Sequence, residues 1–289
     1  MPNTSRIKPL LKWAGSKYKL IDRLLPHFPN NMDRLIEPFV GSAAVSLQFP
    51  QIRGVVGDQN MALARFHAIV AGLEPREILL QAAQLDKQYN RLHMEAKHEF
   101  YYAMRDEFNG HVRQERETGS SDRIRTGMLL WFLNKSCYNG LWRENRAGKF
   151  NVPFGWRESL NLAGHDVESV HKALQNKSVV HADFTTTIRR AWRGTDVIYA
   201  DPPYHTESGA FTSYTGTFGE EEHRQLAAEL RSAWERRVTI IASNSDTELV
   251  RELYGDWASM IEVEAPTSIS RNPDSRGMRK ELIIVAKHT

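Results

Sequence analysis

A single cysteine, Cys137, among 289 residues excludes an internal disulfide and any cysteine-rich zinc site, a usage that fits a reducing compartment. Cys137 itself reads as a small buried hydrophobe. No apolar run approaches the roughly 18 residues that a membrane span needs. The opening MPNTSRIKPLLKWAGSK lacks the apolar core and small-residue cleavage site of a secretory signal. A cytoplasmic protein with no membrane partner is therefore expected, with a monomer as the default state. Internal repeats, low-complexity tracts and metal-ligand clusters are missing too. Excess charge is small, at +3 with a pI of about 8.9, so charge alone names no partner.

What is present is 41% hydrophobic, enough for a sizeable core. Basic residues gather locally at Arg6 to Arg23, Lys135 to Arg157 and Arg271 to Lys280; the middle stretch interleaves them with Tyr138, Trp142, Phe150 and Trp156. Cations beside aromatic rings suit phosphate contact and base stacking, although a solvated surface has the same composition.

Periodicity divides the chain. Arg34 to Glu37 reads as a strand, FVGSA as a tight turn and AAVSLQF as a helix. GVVGD (54 to 58) reads as a second strand, with Asn60 ready to cap the helix MALARFHAIVAG. From Pro75 to about Cys137 apolar residues recur at three- and four-residue steps, which predicts a helical insertion. Asn139 to Trp156, rich in Gly, Asn and Arg, predicts an ordered loop or short hairpin. Strands resume at 178 to 184, 195 to 201, 237 to 245, 258 to 265 and 280 to 288, with helices at Thr186 to Arg193 and Glu220 to Arg237. The two of these that lie between helical segments are apolar enough to be central strands. The fold class is α/β, a doubly wound sheet interrupted by a helical, basic insertion. Its boundaries are 1–74 with 160–289 for the sheet domain and 75–159 for the insertion.

The most informative string is VIYADPPYH. An apolar strand delivers Asp201 to its carboxyl end, and Pro202 and Pro203 stiffen the exit toward Tyr204. An aromatic amine is a poor nucleophile because its lone pair is delocalised into the ring. The Asp201 carboxylate and the Pro202 carbonyl, accepting both amino hydrogens, would favour a pyramidal nitrogen and free that lone pair. Tyr204 can stack on the base, as a flipped base requires. No covalent nucleophile is needed.

Two further strings precede it. In LKWAGSKYKL, Gly15 permits a turn, Ser16 can cap a helix and Lys17 offers charge. The Walker phosphate loop is excluded, since Lys17 is followed by Tyr18 and no glycine stands at the required distance upstream. In EPFVGSAAV, Gly41 lets backbone approach a ligand closely, and Asp58 ends the next strand where an acid commonly binds ribose hydroxyls. Capping a helix is the alternative role for Asp58.

Taken together, LKWAGSK, EPFVGSAAV and DPPY, with LNKSCYNGLWRENRAGKFNVPFG (133 to 155) and SNSDT (243 to 247), resemble the Dam-type DNA adenine methyltransferases over nearly the whole chain and in the same order. The resemblance implies a methyltransferase-like sheet with 75–159 as the target-recognition insertion, S-adenosylmethionine as cofactor and double-stranded DNA as partner, with 5′-GATC as target. Carried over by position, Trp13, Lys17, Asp58 and Asp201 border the cofactor, Lys17 pairing with its methionine carboxylate. Phe39 and Gly41 form the turn beneath it, and Asp183 and Phe184 contact its adenine. Tyr138, Asn139, Leu141, Arg143 and Pro153 approach or enter the duplex, and Lys12 contacts a base. Arg143 is the natural reader of guanine, since its fork matches two acceptors of that base. Ala43 stands where the family's turn has a second glycine, and Trp156 stands where some relatives have arginine. RNA adenine or cytosine-amino methylation would use the same loop, and a non-enzymatic DNA-binding protein would keep the same fold.

Overall fold

The computed structural model describes residues 6–206, 212–213, 216–266 and 278–288. The basic stretch Arg271 to Lys280 therefore falls largely outside the described residues.

A short helical run opens the fold: a 3₁₀ turn at Lys17–Leu20, α1 (Ile21–Leu24) and a second 3₁₀ turn at Leu25–His27. Strands β1 (Arg34–Glu37) and β2 (Arg53–Asp58) follow, then α2 (Met61–Gly72), whose first turn is capped by Asn60 accepting from Leu63 N at 3.1 Å. The stretch expected to be helical from Pro75 to about Cys137 forms α3 (Pro75–Asn90), α4 (Met94–Thr118) and α5 (Arg123–Ser136). Next come α6 (Val167–Leu174), β3 (Lys177–His181), α7 (Phe184–Ile188), β4 (Asp196–Ala200) and a two-residue hairpin, β5 (Thr212–Ser213) with β6 (Gly216–Thr217). The chain ends in α8 (Glu220–Glu235), β7 (Thr239–Ser245), α9 (Glu248–Tyr254), β8 (Ser259–Pro266) and β9 (Met278–Ala286).

Seven strands form one sheet in the order β3-β2-β1-β4-β7-β9-β8, parallel except for β9, which pairs antiparallel with both neighbours. The order reverses between β1 and β4, so the crevice at their carboxyl ends is the position where such sheets bind ligands. Strands β4 and β7 lie inside the sheet, and every residue of β4 is buried. Period-two alternation explains how these strands serve two cores. Ile36, Ile198, Ile240 and Ile284 face α8 and α9, whereas Leu35, Val197, Ile241 and Ile283 face the α1 side. A third apolar cluster runs without interruption from α2 and α6 through α3, α4 and α5 to Trp142, Phe150 and Phe154.

The segment after α5 is a short antiparallel excursion. Tyr138 N donates to Pro153 O at 2.9 Å and Asn151 N to Arg143 O at 3.0 Å, with bridges Cys137↔Phe154 and Glu144↔Phe150. Buried Trp142 and Phe150 anchor it against Phe108 of α4.

Several expectations are corrected. AAVSLQF is not a helix but a turn with one 3₁₀ segment, Ser46–Gln48, because Ala43 adopts φ 61°, outside the helical region. Ser16 makes no capping hydrogen bond; its hydroxyl lies 2.7 Å from that of Ser42. The helix expected at Thr186 to Arg193 spans only Phe184–Ile188, and the chain then turns where the Asp196 carboxylate accepts from Trp192 N and Arg193 N. Helices α6 and α9 lie outside the elements that the sequence pattern predicts; both are short, at eight and seven residues, although α6 buries Val167, Val170, Ala173 and Leu174 at helical spacing. Among the described residues, no helix is long and apolar enough to cross a membrane.

Candidate active site and nucleic-acid interface

Four parallel strands deliver their exits to one edge of the sheet: Phe39 and Gly41 after β1, Asp58 at the end of β2, Asp183 after β3 and Asp201 after β4. The structure gathers the candidate residues there into three groups and places the rest on an adjoining surface.

The first group surrounds Asp201. Its Oδ1 lies 2.9 Å from Lys17 Nζ, with the side chains 17% and 6% exposed. Lys17 Nζ also donates to Gly15 O at 2.8 Å, across the turn that Gly15 makes at φ 77°, and sits 4.6 Å from the centre of the Tyr204 ring. Burial pushes the Asp201 carboxyl up to about 6, with Lys17 pulling it down and the Glu281 charge raising it. Pro202 is buried beside it. The Tyr204 hydroxyl donates to Glu281 Oε2 at 2.8 Å, so strand β9 and Lys17 hold the ring from two directions.

The second group is the turn after β1. Gly41 takes φ 49°, and a Cβ there would come 3.2 Å from Trp13 Cδ1, so only glycine leaves the indole its place. Both ends of the Gly41 residue are held: its N–H donates to Asp58 Oδ2 at 3.2 Å, and its carbonyl accepts from His67 Nε2 at 2.8 Å. The other Asp58 oxygen accepts from Asn60 N at 2.9 Å. Burial raises the Asp58 carboxyl to about 6 against these two backbone donors, and it lowers His67 to about 4, keeping that imidazole neutral. Below the turn, buried Glu37 accepts from Ser46 N at 3.2 Å and from the Ser46 hydroxyl. Burial, opposed by these hydrogen bonds and assisted by the Asp201 charge, lifts Glu37 to about 8.

The third group is aromatic. Phe39 stacks on Phe184 with centroids 5.6 Å apart, and Phe218 meets both rings edge-on at 5.7 and 5.8 Å. Asp183 is exposed, and its carboxylate caps α7 by accepting from Thr186 N at 2.7 Å and from the Thr186 hydroxyl.

The candidate DNA residues connect to this edge through the Lys12–Trp13 segment, where Trp13 meets Trp142 with ring centroids 5.7 Å apart. Lys12 is exposed and runs along the Tyr138–Gly140 turn; Asn134 ties the two together, accepting from Lys12 N at 2.9 Å and donating to Lys12 O at 2.7 Å and Gly140 O at 3.3 Å. Four residues separate Lys12 from Lys17, so one short segment links this turn to the Asp201 group. Tyr138, Asn139 and Pro153 are exposed and Leu141 is half-buried; Asn139 reaches outward at φ 55°. Arg143 is exposed, with Nε donating to Asn151 Oδ1 at 2.6 Å and Nη2 to Asn151 O at 3.1 Å. The neighbouring Glu144 pairs with Arg116, 3.3 Å away, and not with Arg143. Trp156 is 59% exposed, at φ 53°.

Sequence reasoning missed Glu281, His67, Phe218 and the hold on His205. His205 N donates to Asn244 Oδ1 at 3.1 Å, its Nδ1 meets the Thr247 hydroxyl at 3.0 Å, and Ser245 Oγ donates to its carbonyl. The SNSDT string thus clasps the exit of the DPPY loop. A lone acid in the apolar strand KELIIVA was the only available signal for Glu281.

The family model of D12 class N6 adenine-specific DNA methyltransferases matches residues 13–269. A DNA adenine methylase of Haemophilus influenzae is 32% identical over 287 residues, covering 96% of this chain and 93% of its own length. One from Serratia marcescens is 34% identical over 96% of this chain and 97% of its own. A type II methyltransferase of Methanocaldococcus jannaschii is 30% identical over 86% and 88%. With the match spanning both the strands of the sheet and helices α3 to α5, the chain belongs to the D12 class of N6 adenine-specific DNA methyltransferases.

Proposed function

We propose that this enzyme uses S-adenosylmethionine to methylate N6 of an adenine flipped out of duplex DNA, with 5′-GATC as its target and residues 75–159 as the target-recognition insertion. The observation that carries this reading is the pairing of buried Lys17 with half-buried Asp201 beside Tyr204 at the switch point of the sheet. Asp201 and the Pro202 carbonyl accept the two amino hydrogens, which frees the nitrogen lone pair for attack. Ionised Asp201 is the acceptor, so chemistry fails as pH falls through about 6. Tyr204, steadied by Glu281, stacks on the extruded base.

The cofactor fits the groups on this edge. Gly41 turns the backbone at φ 49° beneath the Trp13 indole, Asp58 presents a carboxylate suited to ribose hydroxyls, and the Phe39–Phe184 pair offers apolar surface for an adenine ring, with Asp183 beside it. Trp13 and Lys17 would close the methionine end. When bound, the cofactor supplies the electrophilic methyl group. Lys12, Tyr138, Asn139, Leu141 and Pro153 approach the duplex, and Arg143 reads guanine; its hydrogen bonds to Asn151 hold the fork in one orientation. We place the protein in the cytoplasm as a monomer.

The test is transfer of tritium from methyl-labelled cofactor to duplexes carrying GATC and each of its single-base variants, with calorimetric cofactor binding by Asp58→Ala measured without DNA. The reading predicts label on GATC alone, weakened cofactor binding by Asp58→Ala, and relaxation at guanine in Arg143→Ala worth about 1 to 3 kcal/mol. Preference for another site refutes GATC, and an equal loss on all variants refutes guanine reading by Arg143.

A further inference from the structure

The edge of the sheet opposite the catalytic site carries an open groove of about 450 Å³, lined chiefly by Arg34, Arg53, Asn176, Ser178, Arg190 and Trp192. These residues come from the amino ends of β1, β2 and β3 and from the turn before β4. The groove therefore lies a full strand length, roughly 15 Å, from the residues that flank Asp201. No acidic residue lines it.

The groove is built rather than incidental. Asp196, fully buried, accepts from Trp192 N at 2.9 Å and from Arg193 N at 3.1 Å, while its other oxygen lies 3.6 Å from Arg34 Nε. Arg34 Nη2 in turn donates to Arg190 O at 2.7 Å. One buried carboxylate and one arginine thus fix the wall from which Arg190 and Trp192 project. The guanidinium groups of Arg53 and Arg190 make no hydrogen bond or ion pair among the described residues, whereas those of Arg189, Arg224, Arg231 and Arg251 elsewhere on the surface are each paired with an acid. Trp192 is 61% exposed at the rim, with the Arg193 guanidinium 4.4 Å from its ring centre, which adds a fourth cation.

Unpaired guanidinium forks converging on a concave, acid-free wall are the chemistry that binds phosphate oxygens. The groove is open at its ends and its cations continue past the rim to Arg193, which suits a phosphodiester chain better than a small enclosed anion. We propose that this groove binds the phosphate backbone of a second DNA segment while the opposite edge holds the segment being methylated. A methyltransferase bound to a polymer meets other segments of it at high effective concentration, so a weak second contact would be occupied.

The test uses full-length protein and the double variant Arg53→Gln/Arg190→Gln, whose side chains are outside the catalytic and recognition groups. Methylation of a short single-site duplex should be unchanged, which reports an intact fold and catalytic edge. Wild type held on an immobilised site-bearing duplex should capture a second, labelled duplex without a site, and the double variant should lose that capture. The salt slope of the second binding event should fall by about 2 units, near 0.9 per lost phosphate contact. Failure of wild type to hold two duplexes, or equal capture by the variant, overturns the proposal. Binding of inorganic phosphate or ADP that depends on the two arginines, without capture of a second duplex, would assign the groove to a small phosphate ligand and equally overturn the DNA reading.

Discussion

Lys17 has two candidate roles, and Lys17→Met separates them. Its ammonium lies 2.9 Å from the Asp201 carboxylate; at an effective dielectric constant of about 20 that separation is worth about 6 kcal/mol of gross attraction. Burial opposes it strongly enough that Asp201 still sits at about 6 rather than below its ordinary value. Removing the ammonium leaves only influences that raise the group, namely burial and the Glu281 charge. The carboxyl should then climb by at least about one unit, each unit being about 1.4 kcal/mol. In single-turnover methylation, the acid limb of kcat/KM should move from near pH 6 to pH 7 or above, with about tenfold loss per pH unit below it. If Lys17 instead acts only on the methionine carboxylate of the cofactor, the variant should raise the cofactor KM by a constant factor at every pH. Asp58 titrates near the same value, yet its causes are burial and the donors Asn60 and Gly41, not Lys17. A limb that stays put in Lys17→Met therefore refutes the pairing as a control on Asp201.

Glu37 at about 8 keeps a proton that the unfolded chain loses near 4.5, so stability falls as pH rises between those values, by roughly 4 to 5 kcal/mol in all. Glu37→Gln should flatten that dependence in urea unfolding from pH 5 to 8, and an unchanged slope would contradict the burial argument. Ala43 is fully buried at φ 61°, a conformation that costs a non-glycine residue about 1 to 2 kcal/mol. Ala43→Gly should consequently stay within about 0.5 kcal/mol of wild type, its relief offsetting lost burial and chain entropy, while Ala44→Gly should lose about 1 to 2 kcal/mol; equal losses would show that the turn carries no strain. Tyr204→Phe should keep most turnover and Tyr204→Ala should lose about 1 to 3 kcal/mol of base stacking. Fluorescence of 2-aminopurine at the target reads the same effect, and a Phe variant as impaired as Ala would move the role from the ring to the hydroxyl bound by Glu281.

The chemistry and the order of elements were legible locally. An apolar strand ending in Asp201-Pro202-Pro203-Tyr204, the alternation that sends Leu35 and Ile36 into opposite cores, and the helical period of α3 to α5 all depend on neighbours within a few residues. Where local pattern and turn geometry disagreed, as at AAVSLQF, the turn won because the left-handed backbone at Ala43 cannot continue into a helix. The pairing of Lys17 with Asp201 joins residues 184 positions apart, and that of Tyr204 with Glu281 spans 77. Neither separation leaves a periodic trace, since only the packing of β4 against β1 and β7, and of β9 against β7, brings those side chains together. The same holds for charge. Sequence determined that Asp201, Asp58 and Glu37 are carboxylic acids at strand ends, and burial in the folded sheet decided that all three titrate well above their ordinary range, because desolvation belongs to the tertiary surroundings and not to the residue.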